Sequence, residues 1–205
     1  MPSSKTIELL IDTREQKIPS IPTVFEGYNV KIHRAALPTG DYSVRGFAGI
    51  GDEPKGITIE RKQHWDEFAR NCRTKDRPRF ERELMRMRFF STRVLLICQT
   101  MDELYMGGLR TRMPPHVIEA NFKGLTQRHG IPAWAARYDD AGREILAICK
   151  RFLEQGKPGK TSTTTSNQPV EFTRGIAARI GDRLTALESN QISLMEQLDA
   201  KETHT

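Results

Sequence analysis

Asp41, Glu60 and Lys62 are the side chains of this chain best suited to chemistry. Two carboxylates can hold a hard divalent cation through oxygen, and a lysine can orient a water or meet developing negative charge. A cation, a positioned water and a positive group are what hydrolysis of a phosphodiester requires. Residues two apart on a strand point to the same side, so Glu60 and Lys62 share a face if the strand runs that far. Arg61, between them, is expected to face away, either toward a phosphate or into the support of the site. Taken alone, an aspartate followed later by Glu-x-Lys is a common accident in a chain of this length. A solvated Glu–Lys pair on the surface is the readier explanation of it.

The elements that must position these groups come in a regular order. Ile7 to Ile11 is an apolar run of strand formers that ends at Asp12-Thr13-Arg14-Glu15. Tyr28 to His33 reads as a second strand. The turn cluster Leu37-Pro38-Thr39-Gly40 leads into extended structure from Asp41 to Val44. Gly46 to Gly56 reads as a hairpin loop, and Ile57 to Arg61 as the strand that follows. Each candidate group thus sits at or just past a strand end, where α/β proteins collect their chemistry. Trp65 to Asn71 and Arg77 to Phe90 are predicted helices, the second with Phe80, Leu84 and Met87 on one face. Arg93 to Cys98 is a buried strand. A helix opened by Pro114-Pro115 carries Ile118, Phe122 and Leu125. Pro132 to Ala135 is a last short strand, and a helix with Ile145, Cys149 and Phe152 ends near Gly156. Strands alternating with helices predict an α/β domain over residues 1–155, with a central mixed sheet flanked by helices.

Composition sets the broad class. The chain has 205 residues, 37% hydrophobic and 28% charged, and a formal charge of +6. No apolar run approaches the roughly 20 residues of a membrane span, and no signal-peptide stretch follows the N-terminus. Cys72, Cys98 and Cys149 are widely spaced and odd in number, as expected of reduced thiols in an intracellular protein. Glu60 to Arg93 holds eleven basic and six acidic residues, a local excess that suits a polyanion or solvates a helix surface. Arg70, Arg73, Lys75, Arg77 and Arg79 are the candidates to track a DNA backbone. Residues 156–170 have the composition of a flexible linker. In residues 171–205, Ala177, Ile180, Leu184, Leu187, Gln191, Leu194 and Leu198 keep heptad spacing. They predict a helical tail, as a short coiled coil or as a helix packing on its own domain.

The combination Ile11-Asp12-Thr13-Arg14-Glu15, Gly40-Asp41-Tyr42, Ile59-Glu60-Arg61-Lys62 and Asp66 is far more specific than any one part. It resembles the nuclease domain of the XPF-type structure-specific endonucleases, a family that includes archaeal Hef. The resemblance runs on through Arg79 to Ile97. It covers the first hundred residues closely and the next fifty loosely. It implies a restriction-endonuclease-like fold and a DNA endonuclease acting on branched, flap or fork DNA in repair, recombination or replication. It implies metal binding by Asp41 and Glu60, with the Arg61 backbone carbonyl as a further candidate. Lys62 becomes the catalytic lysine and Asp12 a further acidic residue, binding metal directly or through water. Arg14, Glu15, Arg61 and Asp66 become supporting site residues. The implied ion is Mg²⁺, with Mn²⁺ as a substitute.

The stretch after Pro169 lacks the tandem helix-hairpin-helix motifs of many members, Arg174-Gly175-Ile176-Ala177 being a faint echo. That pattern suits a bacterial or phage member, cytoplasmic, or nuclear in a eukaryote. A homodimer through the nuclease domain or the tail helix is expected. Two other readings remain open: a non-catalytic DNA-binding or scaffold protein, and a restriction or mobile-element nuclease on the same core. Taken singly, Asp12 to Glu15 could cap a helix, Asp41 could be a turn residue and Asp66 a first-turn charge.

Overall fold

A computed structural model of the chain describes residues 5–49 and 56–155. The linker, the heptad tail and the middle of the Gly46–Gly56 insert lie outside the described residues. Seven strands form one sheet: β1 (Lys5–Asp12), β2 (Val24–Phe25), β3 (Tyr28–Ala35), β4 (Tyr42–Val44), β5 (Ile57–Lys62), β6 (Thr92–Ile97) and β7 (Ala133–Ala135). Their order across the sheet is β2-β3-β1-β4-β5-β6-β7. β4 is antiparallel to both β1 and β5, while β1 pairs with β3, β5 with β6, and β6 with β7 in parallel. All the parallel strands therefore end on one edge of the sheet, and β4 begins there.

Among the described residues five helices flank the sheet: α1 (Trp65–Asn71), α2 (Arg77–Met87), α3 (Met101–Tyr105), α4 (Pro115–His129) and α5 (Ala141–Gln155). Strand alternation divides the core in two. Ile7, Leu9, Ile11, Tyr42, Ile57, Ile59, Val94 and Leu96 pack with Ile145, Leu146 and Cys149 of α5. On the other face, Leu95 and Ile97 pack with Trp65, Phe68, Phe80, Leu84, Ile118 and Phe122 of α1, α2 and α4. Each of these large side chains contributes about 1.5–3 kcal/mol on burial, so a one-residue slip of β5 would invert two cores at once. The three cysteines are free and buried.

The elements predicted within the described residues hold, with adjusted ends. α2 stops at Met87 rather than Phe90, because the turn after it places Phe90 in the core and returns Thr92 N–H to the Gly56 carbonyl (3.1 Å). β7 begins after Pro132, which has no N–H to give but accepts Leu95 N–H (3.0 Å). The sequence reading missed β2, α3 and a 3₁₀ turn at Tyr138–Asp140. Asp12 to Glu15 forms a turn, not a helix cap. The Gly46–Gly56 insert leaves β4 and enters β5 at the end opposite Asp41 and Lys62. Ile57 N–H donates to the Phe47 carbonyl there (3.0 Å). The insert is anchored away from the strand ends that carry the site.

Candidate active site

Asp41 stands one residue before β4 and is hung from the strands on either side. Its N–H donates to the Ile59 carbonyl (2.8 Å), and its carbonyl accepts Asp12 N–H (2.8 Å). Gly40 makes this possible. Its φ is +73°, and a Cβ there would overlap Thr58 Oγ1 and press to 3.0 Å of the Ile59 carbonyl oxygen. The Asp41 carboxylate accepts Arg61 N–H through Oδ2 (2.8 Å). Thus β4, which Asp41 precedes, and β5, which carries Glu60, are neighbours in the sheet.

On β5, Glu60 and Lys62 project together onto the face that carries α1 and α2, and both are buried. Lys62 Nζ forms an ion pair with Glu60 Oε1 and lies 5.0 Å from the centre of the Phe80 ring. Glu67 Oε1 of α1 is 3.9 Å away. Glu60 Oε2 is buried and finds no hydrogen-bond partner. Burial raises both acids: Asp41 is pushed up to about 7, against the pull of Lys62 and the Arg61 N–H. Glu60 is held well above the usual carboxylate range by burial and by the neighbouring Asp41 charge. For Lys62, burial opposes the charge, but Glu60 and Asp41 outweigh it and raise its pKa. Two acids thus compete for the charge of one lysine.

Asp12 is buried and fully engaged. Its oxygens accept the Arg14 side chain at Nε (2.7 Å) and Nη2 (2.9 Å), Arg14 N–H (2.7 Å) and Leu37 N–H (2.7 Å). Burial would raise its pKa, but these donors lower it to about 2. Arg14 also reaches the Leu37 carbonyl (3.1 Å), tying the end of β1 to the turn before Asp41. Arg61 points to the α5 face, as alternation predicts, and is buried there. It donates to Glu15 Oε1 (3.1 Å), the Lys17 carbonyl (2.7 Å) and Cys98 Sγ (3.7 Å). Asp66 accepts Thr111 N–H (2.7 Å) and Arg110 N–H (3.1 Å) from the loop between α3 and α4.

The basic candidates separate. Arg70, Arg73, Lys75 and Arg79 are exposed. Arg77 instead joins α2 to α4, donating to Glu81 (2.9 Å) and Asn121 (2.9 Å). Sequence reasoning passed over Glu67, Phe80 as a floor for Lys62, and Glu83, whose charge bears on Asp41, Glu60, Lys62 and Arg14. The signal for Glu83 was its place one helical turn beyond Phe80 on α2.

The donors fit a hard cation. Asp41 and Glu60 offer carboxylate oxygen alone, and the orphaned Glu60 Oε2 wants a positive partner. Among the described residues no three acidic, histidine or cysteine side chains converge. Two carboxylates suffice for Mg²⁺, which keeps several of its waters.

A mixed sheet flanked by helices, with paired acids and a lysine at the edge where its parallel strands end, defines a restriction-endonuclease-like α/β core. The ERCC4 domain model matches residues 11–147, and the chain belongs to that family, as an XPF-type nuclease domain. Similar solved structures include two of XPF. XPF from Aeropyrum pernix is 19% identical, with a TM-score of 0.51, over 73% of this chain and 66% of that one. XPF from Aeropyrum pernix in complex with DNA is 19% identical, with a TM-score of 0.48, over 76% of this chain and 68% of that one. The chain thus spans just under two thirds of the first relative's length. Comparison with curated proteins gives no match. No helix among the described residues is long and apolar enough to cross a membrane.

Proposed function

We propose that this chain is a metal-dependent DNA endonuclease that hydrolyses phosphodiester bonds in branched, flap or fork DNA during repair, recombination or replication. The observation that carries the reading is the cluster of half-buried Asp41 with buried Glu60 and Lys62, with one Glu60 oxygen left without a partner. Asp41 and Glu60 would hold Mg²⁺, or Mn²⁺ in its place. The ion would supply Lewis-acid stabilisation and lower the pKa of a bound water. Asp41 is oriented by the Arg61 N–H, so its position depends on the main chain of two strands. Lys62 stays charged between Glu60 and Asp41. It can therefore act as an electrostatic and water-orienting group. Asp12 and Arg14 lock the neighbouring turn, and Arg61 with Glu15 locks the loop behind it. Self-association, through the nuclease domain or the heptad tail, belongs to the same proposal.

A cleavage panel of single-stranded, duplex, flap, fork and junction DNA tests this. Cutting of branched substrates with Mg²⁺ or Mn²⁺, none with chelator, and loss in a folded Asp41→Ala variant are expected. A chain that binds DNA but leaves every substrate intact would be a scaffold on a nuclease fold.

A further inference from the structure

Two residues of the family signature hold loops rather than meeting the Asp41–Glu60 pair with their side chains. The Arg61 guanidinium takes the Lys17 carbonyl and Glu15. The Asp66 carboxylate spends one oxygen on Arg110 N–H and the other on Thr111 N–H. Both loops line the same polar groove of about 620 Å³, which opens beside Gln63, the residue after Lys62. Lys17 comes from the first loop and Arg110 from the second, while Arg70 and Arg73 come from α1 and the turn after it. Gly107 and Gly108, at φ +92° and +86°, turn the second loop in the left-handed region and add no side chain to the groove.

Charge decides what the groove can take. None of the four cations forms an ion pair among the described residues. Asp66 is the only carboxylate in the lining, and its oxygens already face backbone donors. Four cations around one engaged anion repel one another, and a row of anions relieves them. A nucleic-acid backbone presents such a row. Arg73 also reaches Thr111 Oγ1 (3.5 Å), so the two walls of the groove touch through a cation that remains unpaired.

We infer that this groove binds consecutive backbone phosphates of the DNA strand on one side of the scissile bond, through Lys17, Arg70, Arg73 and Arg110. Asp66 and Arg61 are its positioning residues. The groove's link to a scissile bond rests on the endonuclease reading, whereas phosphate binding does not.

The test is fluorescence anisotropy of the full chain on labelled fork DNA, with chelator present so that nothing is cut, across a salt series. Lys17→Gln, Arg70→Gln and Arg110→Gln should each weaken binding about 3–10-fold. Each should make the log K against log salt slope shallower by about 0.7–0.9, the share of one phosphate contact. Asp66→Ala should reproduce Arg110→Gln, and the double variant should add little beyond either, since the two act through one contact. Lys75→Gln, outside the groove, should change both quantities less. Unchanged affinity and slope in Lys17→Gln and Arg110→Gln would overturn the groove, as would an equal loss in Lys75→Gln. If Asp66→Ala stops cleavage with binding and slope intact, its positioning role falls. Groove variants that lose binding in a chain that cuts no DNA would leave the groove standing and remove the endonuclease.

Discussion

Asp41 couples the site to pH. Its folded pKa of about 7 lies above its ordinary 3.8, because burial disfavours the charged form. A group raised in this way contributes stability that is fully present below its unfolded value. That contribution is lost as pH rises through about 7, because only the folded chain keeps the proton in between. A cation held by Asp41 must displace that proton. The rise in melting temperature on adding Mg²⁺ should therefore grow between about pH 6 and about pH 8. Asp41→Asn should abolish the Mg²⁺ effect and melt higher than the parent at the upper pH without metal. Differential scanning fluorimetry reads both, and a Mg²⁺ shift that ignores pH would remove Asp41 as a ligand.

At the scale of elements, β5 is unusual in carrying charge on both buried faces, Glu60 and Lys62 toward α2 and Arg61 toward α5. A buried ion pair gains Coulomb energy but loses hydration, and removing one partner strands the other. Lys62→Met should therefore destabilise the fold by about 3 kcal/mol, whereas Glu60→Leu combined with Lys62→Met should be at least as stable as the parent. Urea unfolding distinguishes these outcomes. A double variant weaker than the single one would mean that the charges hold the sheet together. Much of this strand was legible beforehand. Alternation placed Glu60 and Lys62 together and Arg61 opposite, and long apolar runs fixed β1, β5 and β6. What sequence did not show was that Arg61 is buried, since its partners Glu15 and Lys17 lie more than forty residues away along the chain. β2 has two residues and α3 five, too few for periodicity to register. Thr100 and Glu103, a capping box, were the available signal for α3. The resemblance gave Asp66 as a supporting residue, while the loop it holds was not visible in the sequence.

At the scale of the whole molecule, the described domain carries the site, and the heptad tail is a separate matter read from sequence. Deleting the residues after Gly156 should lower the oligomeric state while leaving the domain folded. Light scattering with circular dichroism would check this, and an unchanged mass would place self-association elsewhere or nowhere. The sheet itself has a direction. Asp41 hangs from hydrogen bonds at one end of β4, and the connection from β4 to β5 leaves from the other. The two ends therefore answer differently to change in length. Residues added between Phe47 and Gly56 lengthen a bridge on the far side of the registered strands and leave the suspension of Asp41 alone. Residues added between Leu37 and Gly40 would slacken the suspension itself. The end that carries Asp41 is thus the one where every residue between Leu37 and Gly40 is counted.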